Sequence, residues 1–544
     1  MKRLPLALAL MIGCCVAAAS GSLARAATVL CVGGPGCYST LQAAVDAAHD
    51  GDTITIAPGT YAGGVTIDVS VKLAGTGADQ TVISGGGPVL TIGTFGASSE
   101  PTVSIDGVTI TGGLTRSSPE SMPFTGQEGV FALGGGVEIP PNSDFTGGAA
   151  VTISNSVITG NQVAPTTAID STIPCPADIT ISCINGDLPF ARAAGGGIDN
   201  WGTLTLANTT VSNNRVGSAS GLSTVASDAE GGAIINWLAG LTVSNTTIGG
   251  NRTAATAPNG RFADGGGIMM VGGTLAMSGS AVTNNTASLD ASMPTDVASG
   301  TAAVAGGIHL TGNVPAAAIN NSTVSGNSVS MTNTIGDATA FSGGVHVDLG
   351  VHFQMSKGVI ANNNVSSTAL PGSTGNAGGD SAAGELHGTI SNSRISGNSV
   401  TVSSAAGDVR ALAGASIFFG SITNSAVSNN HVQASAPHGS VALRGGGLVA
   451  DEGGFTLLNT TVSGNSGQAS GLSGTAQGGG IFDAPIPNGP PGGPVALIHS
   501  GVTGNALTGS AAITLQGGGI YVTNPLTLTN SIISDNVPDQ CFGC

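Results

Sequence analysis

Apolar and polar positions alternate from Thr53 almost to the end of the chain. TITIAPGTY, VTIDVSVKLAGTG, TVISGGG, VLTIG and TVSIDGVTITGG (102–113) put β-branched residues at every second position and break each run with Gly or Pro-Gly. This is the pattern of short strands joined by tight turns. One stretch has a different period. In YSTLQAAVDAAHDGD (38–52), Leu41, Ala44, Val45 and Ala48 recur at helical spacing, Ser39 or Thr40 can cap the start and Gly51 can end it. The spacing predicts a short N-terminal helix that lids the open end of a strand stack.

From residue 134 two phrases organise the alternation. A glycine phrase stands at GGGV (134–137), GGGI (195–198), GGAI (231–234), GGGI (265–268) and onward to GGGI (517–520), with weaker forms SGGV (342–345), GEL (384–386) and AGASI (413–417). The second phrase, NTTVSNN at 208–214, closes each unit on an asparagine, from Asn161 through Asn214 and Asn251 to Asn536. The two alternate strictly in units of 31 to 53 residues, a period that marks stacked repeats. Within 195–214 there is room for three strands, around Ile198, Leu204 to Leu206, and Thr209 to Val211. Each strand lying under its counterpart in the next unit gives an all-β fold, a three-sided parallel β-helix with right-handed crossovers. About fourteen coils at ~4.8 Å make a rod of roughly 65 Å.

The chain divides into a leader (1–26), an N-terminal disulfide loop with the capping helix (27–52), first coils (53–133), repeat coils (134–536) and a C-terminal tail (537–544). Between each closing asparagine and the next glycine phrase lie Ala/Ser/Thr-rich segments such as 162–194 and 466–477. These are expected to bulge from one edge as exposed loops.

The run from Ala44 to Tyr61 resembles the AxxAxxGDxIxxxPGTY-like opening of right-handed parallel β-helix proteins of the pectin-lyase-like kind. Across 134–536, the pairing of the glycine phrase with a hydrophobic-x-x-N phrase also resembles the repeats of chlamydial polymorphic outer-membrane proteins, which are β-helical adhesins. Val or Ile stands where that family usually has Phe, and its C-terminal translocator barrel has no counterpart here. The first resemblance implies where an enzyme of this fold would show itself. Lyases use a basic proton abstractor beside an acidic calcium cluster, and polygalacturonase-like hydrolases carry paired aspartates with Gly-His-Gly and Arg-x-Lys phrases. After the leader the only lysines are Lys72 and Lys357, and His387-Gly388 and His438-Gly439 are isolated dipeptides.

Composition narrows the picture. With 89 Gly, 8% charged and 3% aromatic residues the chain is too apolar for disorder and lacks the collagen period. Lys2 and Arg3, an apolar run to about Ala19 and Ala24-Arg25-Ala26 read as a cleaved secretory leader; a lipoprotein site at Cys14 is the weaker alternative. No later stretch is apolar enough to span a membrane. Six cysteines remain beyond the leader, in three close pairs: Cys31–Cys37, Cys175–Cys183 and Cys541–Cys544. In an exported chain these read as local disulfides, although other pairings are open and zinc lacks neighbouring histidines. With 13 Lys+Arg against 30 Asp+Glu, no nucleic-acid partner is expected, for want of a basic face.

The closing asparagines read as a ladder that bonds to the coils above and below while tolerating left-handed backbone. The glycines read as corners. The residue after each inward Ile varies, and strand alternation points it outward. The column runs Glu138, Asp199, Ile235, Met269, His309, His346, His387, Phe418, Val449, Phe482 and Tyr521. Its three histidines, with Asp348 on the same face, could share a metal or a proton; an ordinary exposed column is the alternative. Trp201 and Trp237 lie two residues further along in adjacent units and could form a platform for a sugar ring, with Glu138 and Asp199 taking hydroxyls. The other reading is that they pack beneath segment 162–194. No cofactor is expected, and no motif supports calcium. The sequence thus points to an exported, monomeric scaffold at the cell surface or in the medium that binds a glycan or a surface protein. The runner-up is a carbohydrate-active enzyme of the same fold.

Overall fold

The three strands expected within 195–214 form, and two more follow them. The computed structural model describes residues 25–116, 129–165, 190–217, 226–256, 260–291, 302–370, 375–450, 454–484 and 493–544. The coil that begins at Ile198 has five strands: Ile198–Asn200, Thr203–Ala207, Thr210–Ser212, Arg215–Gly217 and Ala226–Glu230. Each pairs in parallel with its counterparts one coil away. Ile198 lies between Val137 and Ile234, Leu204 between Val151 and Leu241, and Val211 between Ile158 and Ile248. Among the described residues the third-strand ladder contains 14 strands, in agreement with the coil number read from the repeats.

The first three strands send every second side chain into one continuous core. Val137, Ile198, Ile234, Ile268, Ile308 and Val345 stack there at 0% exposure. Each such side chain contributes about 1.5–3 kcal/mol. Strict alternation is therefore required, because a one-residue slip would turn a whole strand inside out.

Each corner is held by its own ladder. Asn251 donates from Nδ2 to Val211 O (3.0 Å) and to Asn285 Oδ1 (2.9 Å), and its own Oδ1 accepts from Asn214 Nδ2 (3.0 Å). The left-handed backbone expected at these asparagines belongs instead to the residue before them: Asn213, Asn284, Asn362 and Asn429 have φ between 54 and 56°. That residue turns the chain and aims the next side chain inward, where its amide reaches neighbours on both sides. A hydroxyl ladder joins it, which the sequence reading missed although NTTVSNN contains it. Thr246 Oγ1 donates to Ser244 O (2.8 Å) and accepts from Thr209 N (3.3 Å), and Ser280 Oγ accepts in turn from Thr246 N (3.1 Å). The glycine phrase is structural, as expected. Gly195 has φ 68°, and a Cβ on Gly196 would sit 2.4 Å from Gly232 O.

The Ala/Ser/Thr-rich segments correct the expectation of exposed loops. Their described parts form the fourth and fifth strands, an outgoing and a returning arm. The two arms close on a thin second core of small residues, among them Val163, Ala193, Val216, Ala229, Ala263 and Leu289. Small side chains suggest solvent tolerance in the sequence; in the fold they are what lets two arms pack closely.

At the N-terminal end the helix is Leu41–Ala47, with Thr40 Oγ1 accepting from Ala43 N (3.2 Å) and Leu41, Ala44 and Val45 buried. It ends at Ala47 with Ala48 as its C-cap, before Gly51. Cys31–Cys37 and Cys541–Cys544 are bonded as expected. Cys175–Cys183 and most of the leader lie outside the described residues. Among the described residues no helix is long and apolar enough to cross a membrane.

Candidate functional site

The returning arm of each coil meets the next first strand at the glycine corner. The last residue of the arm and the residue after the inward Ile therefore face each other along a seam. On the arm side stand Ala194, Glu230, Asp264, Val304, Phe341 and Asp380; on the other stand Asp199, Ile235, Met269, His309, His346 and Glu385. The column does point away from the main core, but it is not solvent-facing. Glu138, Asp199, Met269 and His309 are 5%, 0%, 6% and 7% exposed, because the arm covers them.

Two positions in the column change. His346 pairs with Glu385, so His387 is displaced and pairs with Phe419 instead. Ala382-Ala383-Gly384 occupies the place of Gly343-Gly344-Val345, which moves the register by two from the reading anchored on Leu386. In the next coil Ser416, rather than Phe418, takes the column position, pairing with Val449.

The tryptophan platform is internal. Trp201 and Trp237 stack at 4.9 Å and 15°, as their spacing implied, yet they are 3% and 5% exposed. Phe145 packs edge-on against Trp201 at 6.2 Å, and the Arg192 guanidinium lies 4.5 Å over Trp237. Trp237 Nε1 donates to Asp199 Oδ1 at 2.8 Å. A face already filled by Phe145 and Arg192 cannot receive a sugar. At the other end Phe482, Tyr521 and Phe542 stack at 5.2 and 5.1 Å and close the seam similarly.

Between these plugs the seam carries a polar stretch around His309 and His346, flanked by Val304 and Phe341. Nδ1 of His309 lies 2.8 and 2.7 Å from the two oxygens of Asp264; a carboxylate only accepts, so this nitrogen carries a proton. Nε2 of His309 and Nε2 of His346 converge on Asp348 Oδ1 at 3.4 and 3.2 Å, and Thr311 Oγ1 donates to Asp348 Oδ2 at 2.5 Å. Nδ1 of His346 is 2.8 Å from Ser342 Oγ. The Asp348 side chain is 39% exposed and forms the mouth of the cluster.

Burial by itself would lower His309, but the Asp264 and Asp348 carboxylates together outweigh it and raise the ring to about 10. Burial, and then the charge on His309, push His346 down. Burial works upward on Asp348, yet hydrogen bonds from both histidines hold it well below the usual carboxylate range. Burial, followed by the charge on His346, brings His387 to about 4. The cluster therefore has an imidazolium and a neutral imidazole sharing one carboxylate at neutral pH. Asp264 could not be identified from sequence, since its partnership with His309 depends on the arm folding back.

Outside this cluster, burial lifts Asp483 from 3.8 to about 6, with Asn524 Nδ2 donating to its oxygens at 3.2 and 3.1 Å. A folded-state pKa above the unfolded one stabilises the fold fully below the unfolded value, and that contribution is lost as pH rises through about 6. Asp483→Asn is expected to raise the unfolding free energy at pH 8 by about 1–2 kcal/mol, discounted for solvent screening, and to leave it unchanged at low pH. Parallel denaturant titrations at the two pH values check this; an equal effect at both would contradict it.

On the outer face of the arms, one coil beyond the histidines, lies a cleft of about 320 Å³ lined by Asp337, Thr339, Phe341, Asn376, Gly378, Gly379, Asp380, Arg410 and Leu412. Gly378 falls in register between Thr339 and Arg410, and its missing side chain makes the floor. Phe341 and Asp380 form the back, and Asn376 and Arg410 the exposed rim. Sequence reasoning does not find this site, because its only signal is a glycine inside an arm expected to be a loop.

No family model matches this chain, and no curated protein matches it. Among solved structures it is similar to the A-module of the mannuronan C-5 epimerase AlgE6 of Azotobacter vinelandii. The two are 14% identical over 90% of this chain and 93% of that one, with a TM-score of 0.27.

Proposed function

We propose that this protein is an exported, non-enzymatic β-helical scaffold that binds a glycan in the cleft over Gly378. The observation that carries this reading is the cleft itself: an aromatic face, carboxylates, an amide and a guanidinium converge on a space of about 320 Å³. A sugar ring needs such a set, with its apolar face against Phe341 and its hydroxyls distributed among Asp337, Asp380, Asn376 and Arg410. The paired strands fix the backbone at Phe341, Asp380 and Arg410, so the ordering cost left there at binding is that of the side chains.

The test exploits two adjacent glycines. A Cβ on Gly378 would meet only Thr339 at 3.6 Å, so Gly378→Val fills the cleft while a strand accepts it. A Cβ on Gly379 would lie 2.4 Å from Val402 Cγ2 in the second core, so Gly379→Ala should lower stability without entering the cleft. On a glycan array, Gly378→Val is expected to cut binding at least tenfold with an unchanged melting temperature. Undiminished binding by that variant would remove the cleft from consideration.

A carbohydrate-active enzyme is the competing reading, favoured by the His309–Asp264 and His346–Asp348 pairs beside the cleft. Reducing-end release and unsaturated-product absorbance across plant and bacterial polysaccharides, with and without calcium, separate the two; turnover on any of them would favour the enzyme.

A further inference from the structure

The polar stretch of the seam has the makings of a second, independent site. We propose that Nε2 of His309, Nε2 of His346 and a carboxylate oxygen of Asp348 bind one divalent transition-metal ion of the zinc class, with the remaining coordination position open to solvent past Asp348. One ligating atom from each of these three residues lies within 4.8 Å of the others. The two nitrogen-to-oxygen separations, 3.4 and 3.2 Å, are close to the ~3.3 Å edge of a tetrahedron built on ~2.0 Å bonds. Two imidazoles and one carboxylate suit a borderline ion better than calcium, which takes six or more oxygens.

The outer groups are built for the same purpose. Asp264 accepts from Nδ1 of His309 and Ser342 Oγ can accept from Nδ1 of His346, which fixes both rings with Nε2 turned toward Asp348. Thr311 holds the other Asp348 oxygen. Two of the ligands come from neighbouring coils whose register, His309 opposite His346, is set by the ladder, so the site needs no loop to close over it. Binding releases one proton to solvent, that on Nε2 of the His309 imidazolium, while neutral His346 then holds its single proton on Nδ1, toward Ser342.

The experiment is calorimetric titration of the chelator-treated protein with zinc, repeated with cobalt(II), whose visible absorbance reports tetrahedral nitrogen and oxygen ligation. One ion per chain is expected. Asp348→Asn and His346→Ala should each weaken binding at least ~100-fold, and Asp264→Asn, a positioning residue, ~10–100-fold. His352→Ala and His438→Ala, at exposed histidines elsewhere, should change nothing. Asp348→Asn is the decisive variant, since it is partly exposed and keeps an acceptor for Thr311; circular dichroism verifies its fold. Wild-type affinity in Asp348→Asn, loss of binding in His352→Ala, or no zinc bound by the wild type would each overturn the site. The outcome does not depend on the Gly378 cleft, because glycan binding is read separately.

Discussion

Asn327→Ala is expected to lower the unfolding free energy by about 4–6 kcal/mol. The Asn327 side chain is completely buried, donates to Val282 O and Asn363 Oδ1 at 3.0 Å each, and accepts from the backbone and the side-chain amide of Asn285 at 3.0 Å each. Alanine leaves the Val282 carbonyl and both Asn285 donors without that partner in a dry corner, and each such loss costs about 1–3 kcal/mol. Asn321, six residues earlier, is the internal control: it is exposed, has φ 47°, and its bond to the next coil is a backbone one, from its N–H to Ser356 O at 2.9 Å, which glycine keeps. Asn321→Gly should change stability by less than about 1 kcal/mol, since glycine takes that conformation freely. Denaturant midpoints of the two variants provide the comparison. A loss below about 1 kcal/mol for Asn327→Ala would mean that the ladder is not what holds the coils in register.

Trp237→Ala is expected to cost about 3–5 kcal/mol of stability and to leave glycan binding at the cleft intact. The indole stacks on Trp201, lies beneath the Arg192 guanidinium and donates to buried Asp199. Truncation opens a cavity and withdraws a hydrogen bond from a buried carboxylate. Thermal melting combined with the glycan array gives both readouts. Lost glycan binding at unchanged stability would restore the tryptophan pair as a ligand platform and rule out its role as a buried plug.

The fold was legible in the sequence because the features that specify it repeat. Ile or Val after the glycine phrase, the closing asparagine and the Ala44–Tyr61 opening each report a local requirement: an inward side chain, a buried amide, a capped end. The helix at Leu41–Ala47 and the two described disulfides are local in the same sense. The hydroxyl ladder through Thr209, Thr246 and Ser280 is equally local, but it hides inside a phrase whose closing asparagine carries the stronger signal.

The candidate site was only half legible. The column containing His309, His346 and Asp348 followed from strand alternation alone, because the side-chain period of two needs no knowledge of neighbours. What the column faces did not follow. Alanine-rich segments without a strong periodic signal fold back as arms, bury Trp201 and Trp237, bring Asp264 to His309 and open the cleft at Gly378. The displacement of His387 by Glu385 likewise depends on how residues 380–384 cross the corner, which Leu386 alone misreports. The sequence by itself determined the solenoid, its coil number and which residues leave the core, since these rest on period and corner chemistry within a single coil. Only the tertiary structure decided which of those residues are covered, paired or open, because burial and electrostatics along the seam arise from contacts between arms and strands tens of residues apart.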